Sequence, residues 1–191
     1  DSNQINLNQD FVVANSYLER GCSAYVIVKG PTWEEAEANA RKLGGHLLAI
    51  NDEQENKWIT GSYKKLVTYN GRTGDLNNGP YLPRAWIGLN DKDEEGVYTW
   101  TSGEEVTYRG TIDTGQFSGM KKTYGRFDPG TGLRDDSLPL ITAFIDQDVS
   151  SILLSSDGND FWFEGSWEDN WNNYTHYSDG IAEIPISPCK K

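Results

Sequence analysis

Near the middle of the chain, Trp86-Ile87-Gly88-Leu89-Asn90-Asp91 sets three large apolar side chains around a glycine and then runs straight into carboxylates. Trp and Ile are strong strand formers, so the stretch reads as a short buried strand. A glycine inside such a strand marks a place where another backbone or a large ring comes close. The acidic loop Asp91-Lys92-Asp93-Glu94-Glu95-Gly96 follows, and then a second aromatic strand, Val97-Tyr98-Thr99-Trp100. A core strand opening into clustered acids suits a scaffold that carries a cation site. The competing reading is a solvated hairpin in an acidic protein, since short motifs recur by chance.

The rest of the chain narrows the fold class. Its 191 residues fit one domain with room for an appendage. Seven Trp, ten Tyr and six Phe offset a modest apolar fraction of 36%, because each ring buries a large area. Twenty glycines and only two helical patterns point to strands and loops. The first helix is predicted from Thr32 as N-cap, with Glu35 completing a capping box. Trp33, Ala36, Ala40 and Leu43 share one face, and Gly44-Gly45 ends the helix. His46 to Ile50 reads as a buried strand. The second helix is capped by Asn51 or Asp52, runs to about Thr60 with Trp58 and Ile59 as anchors, and ends or kinks at Gly61.

Further strands are predicted at Ala24–Lys29, Val106–Arg109, Leu138–Ile145, Ser151–Leu154 and Gly180–Ile186, with an edge strand at Phe11–Ala14. Ser62 to Pro83 is polar and rich in turn residues, with a hairpin signal at Asn70-Gly71. Thr111 to Arg134 is a long Gly-rich loop, a length usually reserved for function.

Composition excludes several partners. The formal net charge of −12 argues against a nucleic-acid backbone or an anionic membrane surface as partner. It permits a hard cation such as Ca²⁺, which takes clustered oxygen ligands. Cys22 and Cys189 lack the Cys-x-x-Cys spacing of zinc and redox sites. No long apolar run offers a membrane span. The chain opens on polar residues and reads as a mature protein or an excised module. His46 lies in a buried strand and His176 in a polar loop, and neither has a nucleophile placed beside it. A carboxylate pair for glycoside hydrolysis is defined by separation in space, which a sequence does not give. The expectation is a binding module, not an enzyme.

Taken in order, these motifs resemble the C-type lectin-like domain. Trp33-Glu34-Glu35-Ala36 followed by Gly44 to Ile50 is similar to the family's first helix and second strand. Trp86-Ile87-Gly88-Leu89 is similar to its central strand, and Glu95-Gly96 with Tyr98-Thr99-Trp100 to the next. Gly165-Ser166-Trp167-Glu168-Asp169 is similar to its Trp-Asn-Asp strand, and Gly180-Ile181-Ala182-Glu183 to its closing strand. The resemblance covers about residues 22 to 189. It implies an α+β fold with two helices, antiparallel sheets and a long calcium-binding loop region. Residues 1–21 would be an N-terminal extension and 22–191 the single domain. Leu43, Ser137 and Ala182 stand where the family's internal cysteines are expected. That pattern resembles bacterial members, which often sit in large secreted adhesins. The family's first and last strands pair antiparallel, which would bring Cys22 and Cys189 together as a disulfide. Two free thiols in a cytosolic protein are the competing reading.

The resemblance also implies a ligand set. Asp128-Pro129-Gly130 is the best match to the family's Glu-Pro-Asn tripeptide, with a cis Pro129 implied. Asp135 or Asp136 matches the acid that follows, and Glu168 and Asp169 match the strand's Asn and Asp. Together they would hold a primary Ca²⁺ whose open positions take vicinal sugar hydroxyls. Asp91 and Glu95, with Asp136, match a second, structural Ca²⁺ site. Trp171 and Tyr174 are candidate ligand contacts, while Trp162 and Trp167 read as core. Two departures matter. Gly130 brings no side chain, and Glu168 replaces an Asn, which exchanges a donor and acceptor for acceptors only. Preference for mannose-like or galactose-like sugars therefore does not carry over. The implied function is Ca²⁺-dependent binding of cell-surface glycans by a monomeric, extracellular adhesion module. The alternative is a lectin-like fold that binds protein, peptide or ice without ligating sugar. Asn173-Tyr174-Thr175 is also a glycosylation sequon.

Overall fold

A computed structural model describes residues 5–66, 68–69, 72–73, 84–94, 97–108, 127–128, 133–134, 149–154, 167–170, 179–187 and 189. The β-branched run Ser23–Lys29 forms strand β2, buried along its centre, and Leu18–Arg20 forms β1 beside it. The predicted edge strand at Phe11–Ala14 is reduced to one bridge, Val12 with Val28, because Ser16 interrupts the ladder. Its hydroxyl accepts the Ile27 N–H at 3.0 Å, where a backbone carbonyl would otherwise stand.

Helix α1 spans Trp33–Lys42 and has the expected capping box of Thr32 and Glu35. Trp33, Ala36 and Ala40 are its buried face. Gly44 ends it at φ +88°, a left-handed conformation that disfavours any residue with a Cβ. Strand β3 is only His46–Leu47, shorter than predicted, although Leu48, Ala49 and Ile50 are fully buried. Leu48 instead bridges two neighbours: its N–H donates to Ile181 O at 2.8 Å and its carbonyl accepts from Gly88 N at 2.9 Å. His46 is half-buried, not sealed in the core.

Helix α2 spans Glu53–Tyr63, with Asp52 as its N-cap. It passes through Gly61, where an end or a kink was expected. The extra turn brings Tyr63 into the core, where its hydroxyl donates to Ser16 O at 3.0 Å. That burial outweighs the cost of about 1 kcal/mol for glycine in a helix. Ile59 is fully buried, and Trp58 packs edge-on against Tyr25 and Tyr63.

Strands β4 (Thr68–Tyr69) and β5 (Arg72–Thr73) pair with Tyr69 opposite Arg72, as a hairpin centred on Asn70-Gly71 requires. The central strand β6 is Arg84–Asn90, and β7 is Thr99–Trp100. No ladder forms over residues 103–108, where a strand was expected to begin at Val106. Val106 and Tyr108 pack their side chains on the core instead. Short strands β8 (Phe127–Asp128) and β9 (Leu133–Arg134) pair with each other. Then come β10 (Val149–Leu153), β11 (Trp167–Asn170) and the closing strand β12 (Asp179–Pro185). The expected strand at 138–145 lies outside the described residues.

The main sheet runs β1-β2-β12-β6-β10-β11, with β3 also on β12 and β7 also on β6. The pairing is antiparallel as expected, with one parallel contact at the centre, where β12 meets β6 through Gly180 and Trp86. Two apolar clusters cover the sheet's faces. One holds Ile27, Ile59, Ile87, Trp100 and Trp167; the other holds Trp33, Ala36, Leu47 and Trp86. Leu43 and Ala182, in the places expected of cysteines, are both buried in the second cluster. β2 and β12 pair antiparallel over seven positions, Asp179 opposite Lys29 through Pro185 opposite Ser23. The Cys22–Cys189 disulfide closes that pair, with Cα atoms 4.2 Å apart.

Candidate functional site

The site is built around the C-terminal end of β6. Two contacts fix that strand. The Trp33 indole N–H donates to Ile87 O at 2.7 Å, which ties α1 to its middle. Gly88 lies so close to Leu47 that an added Cβ would stand 2.6 Å from the Leu47 carbonyl oxygen. The close backbone approach expected from the sequence is therefore present.

Beyond Gly88 the strand divides its pairing. Asn90 stands opposite Thr99 of β7 and opposite Val149 of β10. Its side-chain amide donates to Gly88 O at 3.2 Å and Thr99 O at 3.3 Å. Asp91 follows with 2% of its surface exposed. This rules out the solvated-loop reading for Asp91 itself. Its carbonyl accepts the Glu94 N–H at 3.2 Å, and Glu94 O accepts from Val97 N, so consecutive turns carry the chain back to β7. Lys92 holds the loop down, pairing with Glu34 and lying 5.3 Å above the Trp33 ring.

The β6–β10 ladder is irregular beside this point, and the extra residues lie on β6. Val149 opposes Asn90 and Ser151 opposes Trp86, so the register shifts across Ser150. Bulges of this kind redirect side chains and cluster near functional sites. Ser150 and Ser151 are fully buried, and the Ser150 hydroxyl has no hydrogen-bond partner among the described residues. The sequence reading began this strand at Ser151 and assigned the serines no role. Their signal was polarity interrupting the run from Val149 to Leu154.

β11 completes the row. Asn170 stands opposite Val149, Asp169 opposite Ser150, and Glu168 opposite Ser151. Asn90, Val149 and Asn170 thus form one line across three strands. Trp167 anchors β11 from below. It is buried, donates its indole N–H to Asn56 Oδ1 at 3.1 Å, and packs edge-on between Trp100 and Tyr108 at 5.6 Å each. Its assignment to the core stands. Tyr108 takes part in the same packing, and burial, helped by the negative Glu53, pushes its phenol up to about 12.

The sequence-predicted ligands therefore fall into three groups. Asp91, Glu168 and Asp169 are brought to the same end of one sheet. Asp128 stands opposite Leu133, closing the β8–β9 ladder next to the connection 129–132. Glu95, Asp135, Asp136, Trp171 and Tyr174, with Pro129, Gly130 and Trp162, lie outside the described residues. Among the described residues no three His, Cys, Asp or Glu side chains gather at one point. By chemistry, Asp91, Glu168 and Asp169 are oxygen donors of the kind a hard cation takes.

Comparison with known proteins agrees with the architecture. Residues 29–124 match the family model of the lectin C-type domain. The alpha-N-acetylgalactosamine-specific lectin of Patiria pectinifera is 36% identical over 83 residues, 41% of this chain and 43% of that protein. The galactose-specific lectin nattectin of Thalassophryne nattereri is 35% identical over 78 residues, 41% of this chain and 42% of that protein. The matched region thus spans less than half the length of these relatives. A calcium-independent type II antifreeze protein shares the fold, with a TM-score of 0.54 and 18% identity, over 92% of this chain and 96% of its own.

Proposed function

The chain belongs to the C-type lectin domain family, and from that premise we propose that it is a non-catalytic module that binds glycans with the help of Ca²⁺. The observation that carries this reading is the shared sheet end. There β11 sets Glu168 and Asp169 opposite Ser151 and Ser150 of β10, at the same sheet end as the buried Asp91. Glu168, Asp169, Asp128 and Asp135 would hold the primary ion. Asp91, Glu95 and Asp136 would hold the structural one. Strands β6 and β11 are separated by β10, roughly 10 Å at the usual strand spacing, which suits two neighbouring sites better than one shared ion. A bound Ca²⁺ supplies open coordination positions for vicinal hydroxyls. The carboxylates accept hydrogen bonds from the same hydroxyls, and Trp171 and Tyr174 offer rings for the sugar's apolar face.

The two lectin relatives recognise galactose-type sugars by name, so terminal galactose and N-acetylgalactosamine are the first ligands to try. The disulfide supports an oxidising, extracellular setting. Adhesion to cell-surface glycans as a monomeric part of a larger chain completes the reading. The named relatives are animal proteins, whereas the missing internal cysteines resemble bacterial members. The adhesin setting rests on those cysteines.

A glycan array run with Ca²⁺ and again with EDTA tests the proposal. Binding should appear only with Ca²⁺ and disappear in Asp169→Ala. Binding that persists in EDTA would move the ligand site away from these acids. The second reading, protein or ice binding without sugar ligation, is favoured by Gly130 and Glu168, which remove parts of the family's sugar-ligating set. Absence of glycan binding in both arms, together with thermal hysteresis in the freezing solution, would establish its ice-binding form.

A further inference from the structure

Away from the sheet end, five strands and helices meet at a buried polar cluster. Tyr25 of β2, Glu55 of α2 and Glu183 of β12 are 2%, 4% and 8% exposed. The Tyr25 hydroxyl lies 2.8 Å from Glu55 Oε1 and 3.4 Å from Glu183 Oε1. Arg20 of β1 donates to Glu55 Oε1 at 3.2 Å, and Asn51 N to Glu55 Oε2 at 2.9 Å. Ala49 N donates to Glu183 Oε2 at 3.3 Å, and the Ser23 hydroxyl also bonds Glu183. His46 of β3 stands opposite Glu183 in the ladder.

The phenol has one proton to give. The short contact to Glu55 uses it, and Glu55 has the guanidinium of Arg20 beside it. The remaining contact joins the Tyr25 oxygen to Glu183 Oε1. With both acids ionised, two acceptor oxygens would face each other out of water, which is costly. A proton on Glu183 resolves the conflict: Glu183 donates to Tyr25, and Tyr25 donates to Glu55. Charge balance agrees. Arg20 is already shared between Glu55 and Asp52, the latter at 3.9 Å, and Glu183 has no ion pair within 4.0 Å among the described residues.

We propose that Glu183 carries the proton of this network, so that the relay Glu183–Tyr25–Glu55–Arg20 is a pH-sensitive latch holding β1, β2 and α2 to the closing strand. Burial raises the proton affinity of Glu183, and the Glu55 charge adds to it. The bonds from Ser23 and Ala49, and the nearby His46, act in the opposite sense. Burial likewise raises Tyr25, followed by the charges of Glu183 and Glu55, so the phenol stays protonated. A proton held more tightly folded than unfolded stabilises fully below the ordinary glutamate range. That stabilisation is lost as pH rises through the folded value. The latch is therefore closed in acid and loosens toward alkali.

Carboxyl-carbon NMR of the ¹³C-glutamate-labelled, disulfide-intact chain tests this, with Glu183→Gln assigning the resonance. The Glu183 signal should titrate at a higher pH than the surface glutamates. Melting should shift in the variant's favour as pH rises, because Gln can still donate to Tyr25 but cannot ionise. Titration together with the surface glutamates, or a melting difference flat in pH, would overturn the proposal. Should Glu183→Gln not fold, Tyr25→Phe decides the matter. Removing the acceptor of the Glu183 proton should move that titration to lower pH, and an unchanged or higher titration would overturn the latch.

Discussion

At the scale of single residues, the glycine in the central strand shows how far sequence reading reaches. Gly88 sits among large apolar residues, and from that alone a close approach was expected. The identity of the neighbours was not legible, because Leu47 and Thr101 come from distant parts of the chain. An added Cβ would stand 2.6 Å from Leu47 O and 2.7 Å from Thr101 Oγ1. Gly88→Ala should therefore cost about 1–3 kcal/mol, the usual range for overpacking, measured as a lower urea midpoint at unchanged slope. Trp33 makes a similar point. Its helical position marked it as core, but only the fold shows its indole N–H on Ile87 O. Trp33→Phe removes that bond and should cost about 1 kcal/mol in the same assay. Among the candidate ligands, Asp91 looked like any loop acid, and its burial is a tertiary property.

Elements were legible where local chemistry decides them. The Thr32 and Glu35 side chains satisfy orphan N–H groups of the first turn, a device complete within four residues. Thr32→Ala should destabilise the domain by about 1 kcal/mol, read as a lower melting temperature by circular dichroism. The Asn70-Gly71 hairpin was legible for the same reason, since the turn chemistry is local. Elements were misread where a distant partner overrules local preference. Helix α2 runs through Gly61 because Tyr63 reaches the core and Ser16. Val106 and Tyr108 pack as side chains on an irregular segment because no strand is there to pair with them among the described residues. The irregularity in the β6–β10 ladder could not be seen in advance. It lies where β6 takes up pairing with β7 as well as with β10.

For the whole molecule, the closing strand decides the architecture. β12 pairs with β2 along its full length, with β3 at Leu47 and His46, and with β6 in parallel. It is also where the Cys22–Cys189 bond ties the two ends of the domain, across 167 residues of sequence. Loop-closure entropy gives about 5 kcal/mol for so long a loop, as an upper figure. Unfolding in urea with and without a phosphine reductant should show a loss of up to that size, and the Cys22→Ser, Cys189→Ser double variant should match the reduced chain. Read alone, the residues specify the helix caps, the strand-forming runs, the order of motifs that points to the lectin fold, and the chemical type of the candidate ligands. These depend on neighbours a few residues apart. Folding adds the parallel contact of β6 with β12, the placement of Asp91, Glu168 and Asp169 at one sheet end, and the meeting of Glu55 with Glu183 around a single phenol. Those arrangements are set by register between strands far apart in the chain, and register is fixed by how the whole core packs.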